Sequence, residues 1–104
     1  MTDHLADRIR DALRVVIDPE LGHNIVDLGF VYDISVRDGD ARITMTATTP
    51  GCPAVRFLEE GVASAAERVP GVRSVDVVMT FDPPWAPARI EPLVRASLGF
   101  AAVN

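Results

Sequence analysis

The chain has 104 residues, of which 48% are hydrophobic and 24% charged, and it carries a net charge of −5. These values indicate one globular domain, residues 1–104, and exclude a disordered chain. The acidic balance offers no uniformly basic surface for nucleic acid, and no apolar run approaches the ~20 residues that span a bilayer. Residues 1–4 show no positive or apolar leader region, so we expect a cytoplasmic protein without a signal peptide or membrane contact.

The chain contains one cysteine, Cys52, and no lysine. A single cysteine excludes an internal disulfide and an in-chain cysteine zinc site. The lack of lysine excludes a Schiff-base enzyme and the phosphate-binding lysine of a P-loop.

The first predicted helix covers Thr2–Val16, and Thr2 or Asp3 is expected to cap it. Asp18-Pro19 is expected to end it, because a residue before proline avoids the helical region. A loop over residues 18–24 follows. The apolar face of this helix repeats at spacings of four, four and three, through Leu5, Ile9, Leu13 and Val16.

Alternating apolar and polar residues over 30–37 and 41–48 predict a β-hairpin that turns at Asp38-Gly39. The two-residue turn pairs Arg37 with Asp40, so that partner numbers sum to 77. This register sets apolar residues opposite one another and leaves the other face polar. The expected apolar pairs are Val36 with Ala41, Ile34 with Ile43, Tyr32 with Met45 and Phe30 with Ala47.

A second helix is predicted over Pro53–Val69, with Pro53 at its first position, and Pro70-Gly71 is expected to end it. A third strand over 73–81, an irregular segment over 81–87 and a short helix over 89–98 complete the chain. The order α-β-β-α-β-α predicts an α+β two-layer sandwich with a three-stranded mixed sheet and helices on one face.

This topology predicts that three segments meet at one edge of the sheet. The hairpin register, if continued, sets Asp27 opposite Pro50 and Leu28 opposite Thr49. The helical crossover makes the third strand parallel to the second, so residues 81–85 emerge at the same edge. The loop over residues 18–27 contains three carboxylates and is here called the acidic loop. We therefore expect the acidic loop, Cys52 and the Phe81–Trp85 segment to form a binding site.

Cys52 directly precedes Pro53, at the predicted helix N-terminus, where unpaired N–H groups and the helix dipole favour a thiolate. It is a candidate nucleophile or soft-metal ligand. A buried, inert cysteine is the alternative. The neighbouring carboxylates oppose ionisation of the thiol, so the direction of its pKa shift stays open.

Asp18, Glu20 and Asp27 can supply oxygen ligands or a base. The alternative is that Asp18 ends a helix and that Glu20 and Asp27 cap backbone N–H groups. The hydroxyls of Thr48 and Thr49 can orient a ligand near Cys52, although threonine is also a common strand former.

Trp85 is either an anchor for a partner or a lid on the core, and we favour the lid. His23 is a candidate ligand, although a solvated loop histidine is the favoured interpretation, and His4 is expected to be exposed. The sequence around Cys52 and His23 shows no hydrolase signature.

Five segments together resemble the SufT-like metal–sulfur cluster assembly family, known as domain of unknown function fifty-nine. They span nearly the whole chain, from about Leu5 to Leu98, in matching order. They are DPELG (18–22), NIVDLGFVY (24–32), MTATTPGCP (45–53), PGV (70–72) and FDPPW (81–85).

The resemblance implies a fold like that of iron–sulfur cluster assembly domains and a role in maturing iron–sulfur proteins, without catalysis. It maps the family's reactive cysteine to Cys52 and its acidic motif to Asp18 and Glu20. The implied cargo is a transient iron–sulfur cluster or iron, with no tightly bound cofactor. The implied partners are apo iron–sulfur clients and an Mrp-type P-loop ATPase or the Suf machinery.

A related branch, the PaaD-like proteins of aromatic-acid oxidation, carries a cysteine-rich C-terminal extension. This sequence ends in Ala101-Ala102-Val103-Asn104 without one, so that branch is disfavoured.

One cysteine cannot supply the four thiolates that a cluster prefers. A bridging cluster would need Cys52 from both chains of a homodimer, or ligands from a client. The sequence therefore favours a transient carrier or targeting adaptor. Two other classes remain: a thiol-dependent enzyme with Cys52 as nucleophile, and a metal-free interaction module.

Overall fold

A computed structural model describes residues 4–48, 51 and 53–98 of the chain. Its elements confirm the predicted order and add a two-stranded ribbon, β1–β2, within the acidic loop. They are α1 (Leu5–Ala12), a 3₁₀ turn (Leu13–Val15), β1 (Ile17–Asp18), β2 (His23–Asn24), β3 (Val31–Arg37), β4 (Asp40–Met45), α2 (Ala54–Glu67), β5 (Ser74–Met79), a second 3₁₀ turn (Pro87–Arg89) and α3 (Pro92–Ser97).

The main sheet has the strand order β3-β4-β5, with β3 antiparallel and β5 parallel to β4. The Asp-Gly turn sets the predicted register from Arg37↔Asp40 inward to Ile34↔Ile43. On the other side, Ile43 pairs with Val77. The parallel direction of β5 is confirmed, because α2 carries the chain back across the sheet between β4 and β5.

The core lies between the sheet and the layer formed by α1 and α2. Asp33, Ser35 and Arg42 are exposed on the opposite face of the sheet, as the alternation predicts. Helices α1 and α2 therefore cover one face, and the sandwich architecture is confirmed. The side chains that are fully buried include Ile9, Leu13, Ile25, Leu28, Phe30, Ile43, Met45, Leu58, Val62 and Ile90.

The predicted register is wrong at the start of β3, where a β-bulge shifts it by one residue. Val31, not Tyr32, pairs with Met45. The Thr46 N–H donates to the Phe30 carbonyl at 2.8 Å, so Phe30 does not lie opposite Ala47. An extra residue in one strand is what a bulge accommodates, and here it lets consecutive apolar residues, Phe30 and Val31, both be buried.

The hairpin register is also predicted to continue to residues 27 and 28, but the structure has no strand at these two residues. Residues 25–29 form turns, in which the Leu28 N–H donates to the Asn24 carbonyl and the Gly29 N–H to the Val26 carbonyl. The expected partners Thr49 and Pro50 lie outside the described residues. The bulge and these turns remove the basis for pairing Asp27 with Pro50.

The first helix is shorter than predicted at both ends. It begins at Leu5 after the N-cap His4, and the predicted caps Thr2 and Asp3 lie outside the described residues. The chain is already extended at Val16, because the Ile25 N–H donates to the Val16 carbonyl at 3.0 Å and starts the ribbon. The predicted apolar face is nevertheless buried.

The later elements also differ from the prediction at their ends. Pro53 is the N-cap of α2 and not its first helical residue, and α2 ends at Glu67. The last helix begins at Pro92, because residues 87–89 form the 3₁₀ turn. Residues 80–86 are irregular, as the prolines predict. Within the ranges described, no helix is long and apolar enough to cross a membrane.

Residues 81–91, here called the C-terminal strap, run from the end of β5 past the end of β4 to the start of β3. The Trp85 Nε1–H donates to the Leu28 carbonyl at 2.7 Å, and the Tyr32 hydroxyl donates to the Pro83 carbonyl at 2.8 Å. The Glu91 N–H donates to the Asp27 carbonyl at 2.7 Å. The strap is thus tied at three points to residues 27–32.

Gly29 permits the closest approach between the strap and the body of the domain. It has a φ of +77°, and a Cβ added there would lie 2.7 Å from Arg89 Cβ and closer still to the Arg89 carbonyl oxygen. A side chain at this position would therefore be strained and would also push the 3₁₀ turn away.

We expect Gly29→Ala to destabilise the protein by more than Gly22→Ala. Gly22 also has a positive φ, of +66°, but a Cβ there would meet nothing within 4 Å. Gly22→Ala should therefore cost only the left-handed backbone strain, about 1–2 kcal/mol. Gly29→Ala should add an overpacking cost of about 1–3 kcal/mol. Urea unfolding measures both, and equal losses would contradict the close packing of the strap.

Candidate functional site

The acidic loop lies against the segment that follows β4. The Thr48 hydroxyl donates to Glu20 Oε1 at 3.1 Å, and the Glu20 side chain is otherwise exposed. Thr48 stands four residues before Cys52 in the sequence. Cys52 and Thr49 lie outside the described residues, so their predicted roles remain predictions.

Asp18 is buried, with 3% of its surface exposed, and its carboxylate serves its own loop. Its Oδ2 accepts the Leu21 N–H at 2.8 Å, and its backbone carbonyl accepts the Gly22 N–H at 2.7 Å. Burial raises the pKa of Asp18, and the Glu20 charge raises it further, while the hydrogen bond from Leu21 opposes the rise. The Asp18 side chain therefore caps a backbone N–H group of its own loop, a role that the sequence did not predict for it.

Asp27 has a partner on each of its carboxylate oxygens. Oδ1 pairs with the Arg14 guanidinium, and Oδ2 accepts the Asn24 side-chain amide at 3.0 Å. The Asp27 N–H in turn donates to Asn24 Oδ1 at 2.9 Å. The hydrogen bond from Asn24, followed by that from Arg14, lowers the pKa of Asp27. Asp27 thus fastens the ribbon to the turn after α1.

The structure also shows where Trp85 and His23 lie. Trp85 is partly buried against the core, and its ring meets Phe30 edge-on at 5.4 Å between centroids. That contact supports the lid interpretation. His23 lies in β2, half-buried, paired with Asp18 across the ribbon.

Sequence reasoning missed two contacts of arginine side chains near this edge. Arg14 reaches Asp27, thirteen residues away, and the Arg89 guanidinium stacks over the Tyr32 ring at 4.7 Å. Neither pair has a local spacing signal, because each depends on how separate elements pack.

The described residues do not by themselves make a closed metal site. Among residues 4–48, 51 and 53–98, no three His, Cys, Asp or Glu side chains lie close enough together to hold a metal ion. Glu20 offers an accessible carboxylate, while Asp18 and Asp27 are engaged in internal hydrogen bonds. A metal bound here would need the Cys52 thiolate or ligands from another molecule.

Asp18→Asn should leave stability at pH 7 unchanged or higher. Because the folded-state pKa of Asp18 is raised, wild type loses stability as pH rises through that pKa, whereas asparagine stays neutral and can still accept the Leu21 N–H. The stability advantage of Asp18→Asn over wild type should vanish below about pH 4, the ordinary pKa of aspartate. Urea unfolding at both pH values tests this. A loss of about 1.5 kcal/mol at pH 7, typical for a hydrogen bond to a charged acceptor, would contradict it.

Asp27→Asn should have the opposite effect and cost about 1 kcal/mol at pH 7, through the lost Arg14 pair and weaker Asn24 bond. Because the folded-state pKa of Asp27 is lowered, this contribution is present at neutral pH and is lost as pH falls through that pKa. Asp11→Asn is the matched control, since the Asp11 side chain contacts Arg14 at 3.3 Å but is 84% exposed. Similar losses in both variants would refute the assignment.

The chain is similar to proteins that are named for iron–sulfur cluster assembly or Fe-S protein maturation. A sequence model of the family described as "Iron-sulfur cluster assembly protein" matches residues 6–77. The Fe-S protein maturation auxiliary factor YitW of Bacillus subtilis is 38% identical over 100 residues, covering 95% of this chain and 98% of that protein. The Fe-S protein maturation auxiliary factor SufT of Staphylococcus aureus is 35% identical over 86 residues, covering 82% and 98%.

A solved structure shares the fold. It is a domain of unknown function DUF59 from Bacillus anthracis, with a TM-score of 0.86, 35% identity and 93% coverage of both chains. These findings confirm the SufT-like resemblance carried by the five sequence segments. The chain belongs to the iron–sulfur cluster assembly protein family.

Proposed function

We propose that this protein acts in the maturation of iron–sulfur proteins, as a carrier or targeting adaptor that works through Cys52. Family membership and the names of the relatives support the general role. The observation that carries the local assignment is the hydrogen bond between Thr48 and Glu20. It fixes an exposed carboxylate against the segment that leads to Cys52.

The donor chemistry limits how cargo can be held. Iron–sulfur clusters are held chiefly by cysteine thiolates, typically four, and each chain has only Cys52. The cargo is therefore shared, either between the Cys52 residues of two chains or between Cys52 and the ligands of a client. Such incomplete ligation suits a factor that must release what it carries.

The acidic residues divide into two roles in this proposal. Glu20 acts together with Cys52 as the oxygen ligand or proton acceptor, because its carboxylate is exposed and oriented by Thr48. Asp18 shapes the loop that carries Glu20, since its own carboxylate is buried and bonded to the Leu21 N–H. Thr49 remains a candidate for orienting the cargo.

An adaptor that holds no metal is the second candidate. One cysteine per chain cannot supply the four thiolates of a cluster, and this favours a transient carrier or an adaptor over a permanent scaffold. In either form the partners are apo iron–sulfur clients, with an Mrp-type ATPase or the Suf machinery as the source of cargo. The protein itself performs no catalysis in this proposal.

The test is anaerobic reconstitution of the purified protein with ferrous iron and sulfide, followed by iron and sulfide analysis and visible spectra. We expect wild type to bind iron or a cluster, and Cys52→Ser to lose roughly tenfold or more of that binding, because the soft ligand is gone. Glu20→Gln should lose less. Thermal melts control for folding.

Maturation of an iron–sulfur client in cells separates the two candidates. Loss of client activity in Cys52→Ala, with reconstitution lost as well, supports a carrier. Loss of client activity without metal binding by wild type supports the metal-free adaptor. Unchanged client maturation in a folded Cys52→Ala protein would overturn the role assigned to Cys52.

A further inference from the structure

Arg89 and Tyr32 form a cation–π pair at the surface, at the edge of the sheet where β4 ends. The Arg89 guanidinium carbon lies 4.7 Å from the centroid of the Tyr32 ring, within the range of a cation–π contact. Gly29, Val31 and Pro83 complete an open groove of about 450 Å³ around them. One wall is cationic, and the rest is backbone, aromatic and apolar surface.

Hydrogen bonds hold the Tyr32 ring and the Arg89 backbone in place. The Tyr32 hydroxyl donates to the Pro83 carbonyl at 2.8 Å, which fixes the ring. The backbone of Arg89 belongs to the 3₁₀ turn that packs on Gly29, and its N–H donates to the Ala86 carbonyl at 2.9 Å. The guanidinium therefore loses less side-chain entropy on binding than a free surface arginine would.

Within the described ranges, no carboxylate lies within 4.0 Å of the Arg89 guanidinium. Three other arginines do have carboxylate partners. Arg14 pairs with Asp27, Arg42 with Asp76, and Arg73 with Asp40. The N–H groups of Arg89 are thus placed on an aromatic platform with no internal anion to satisfy them.

We propose that this groove binds the carboxylate of an acidic residue in a partner polypeptide, with an apolar neighbour of that residue covering the exposed Pro83. A guanidinium binds a carboxylate through two parallel N–H···O bonds, and no hydrogen bond within the described residues occupies the N–H groups of the Arg89 side chain. The groove has room for one acidic side chain and part of its flanking residues.

The groove lies at the edge of the sheet where β4 ends. Val31 pairs with Met45, the last residue of β4, and the chain then proceeds through Thr48 toward Cys52. Identifying the partner as an iron–sulfur client rests on the proposed function. The carboxylate site itself does not, because its geometry involves neither Cys52 nor Glu20.

The test is a titration of the full-length ¹⁵N-labelled protein with the peptide acetyl-Leu-Glu-Leu-amide at 50 mM salt, followed by NMR. We expect saturable shifts at the amides of Gly29, Val31 and Tyr32 and at the Arg89 side chain, with a Kd on the order of 1 mM. The matched peptide acetyl-Leu-Gln-Leu-amide should bind roughly tenfold more weakly, because it lacks the charge-assisted bond.

Variants separate a built site from general charge attraction. Arg89→Gln should weaken binding at least roughly fivefold, and Arg89→Lys should fall between the two, because lysine keeps the charge but loses the planar fork. Arg37→Gln is the matched control: it removes the same charge from the exposed far end of β3, and should change the Kd less than about twofold.

Three results would overturn the proposal: equal affinity for the two peptides, equal weakening by Arg89→Gln and Arg37→Gln, or no saturable shift at Arg89. Should Arg89→Gln unfold, Tyr32→Phe tests the same groove by removing the Pro83 anchor, and unchanged binding in that variant would count against a pre-oriented site. Cys52→Ser should bind the peptide like wild type, so failure of the Cys52 role and failure of this site are distinguishable.

Discussion

The position of β4 at the centre of the sheet determines how the rest of the structure is arranged. It is hydrogen-bonded to β3 on one side and β5 on the other, and its inner side chains Ala41, Ile43 and Met45 are buried beneath the helices. The antiparallel neighbour brings residues 27–30 to the edge where β4 ends. The parallel neighbour starts the C-terminal strap at that same edge. The acidic loop reaches this edge through Thr48, so one central strand gathers three distant parts of the chain.

The acidic residues near this edge have unequal environments, although they look alike in sequence. Asp18 is buried and satisfied by its own loop, and Asp27 is an ion-paired fastener between the ribbon and the turn after α1. Glu20 alone of the three combines an exposed carboxylate with a contact to the segment leading to Cys52. Two of them therefore stabilise the shape of the loop, and the carboxylate of the third stays exposed.

The sequence predicted those features that depend on neighbours along the chain. The Asp38-Gly39 turn and the alternation around it determined the hairpin register near the turn, and the crossover rule determined the direction of β5. The bulge was not predictable by alternation, because Phe30, Val31 and Tyr32 are all apolar and any of them fits the inner face. The β1–β2 ribbon has only two residues in each strand, too few to show a period. Contacts such as Trp85 with Leu28 join residues 57 positions apart and have no local signature.

The single extra residue at the bulge lets β3 serve two surfaces. With strict alternation, Tyr32 would point into the core beside Phe30, and Val31 would face solvent. The bulge instead buries Phe30 and Val31 together, and the Tyr32 ring is left at the surface with its hydroxyl on the strap and its face under Arg89. Deleting one residue at the bulge would restore a regular ladder. It would also break the contact between Tyr32, the only tyrosine of the chain, and Pro83 of the strap. A local irregularity in one strand thus determines which of three consecutive side chains enter the core and which one lies at the surface.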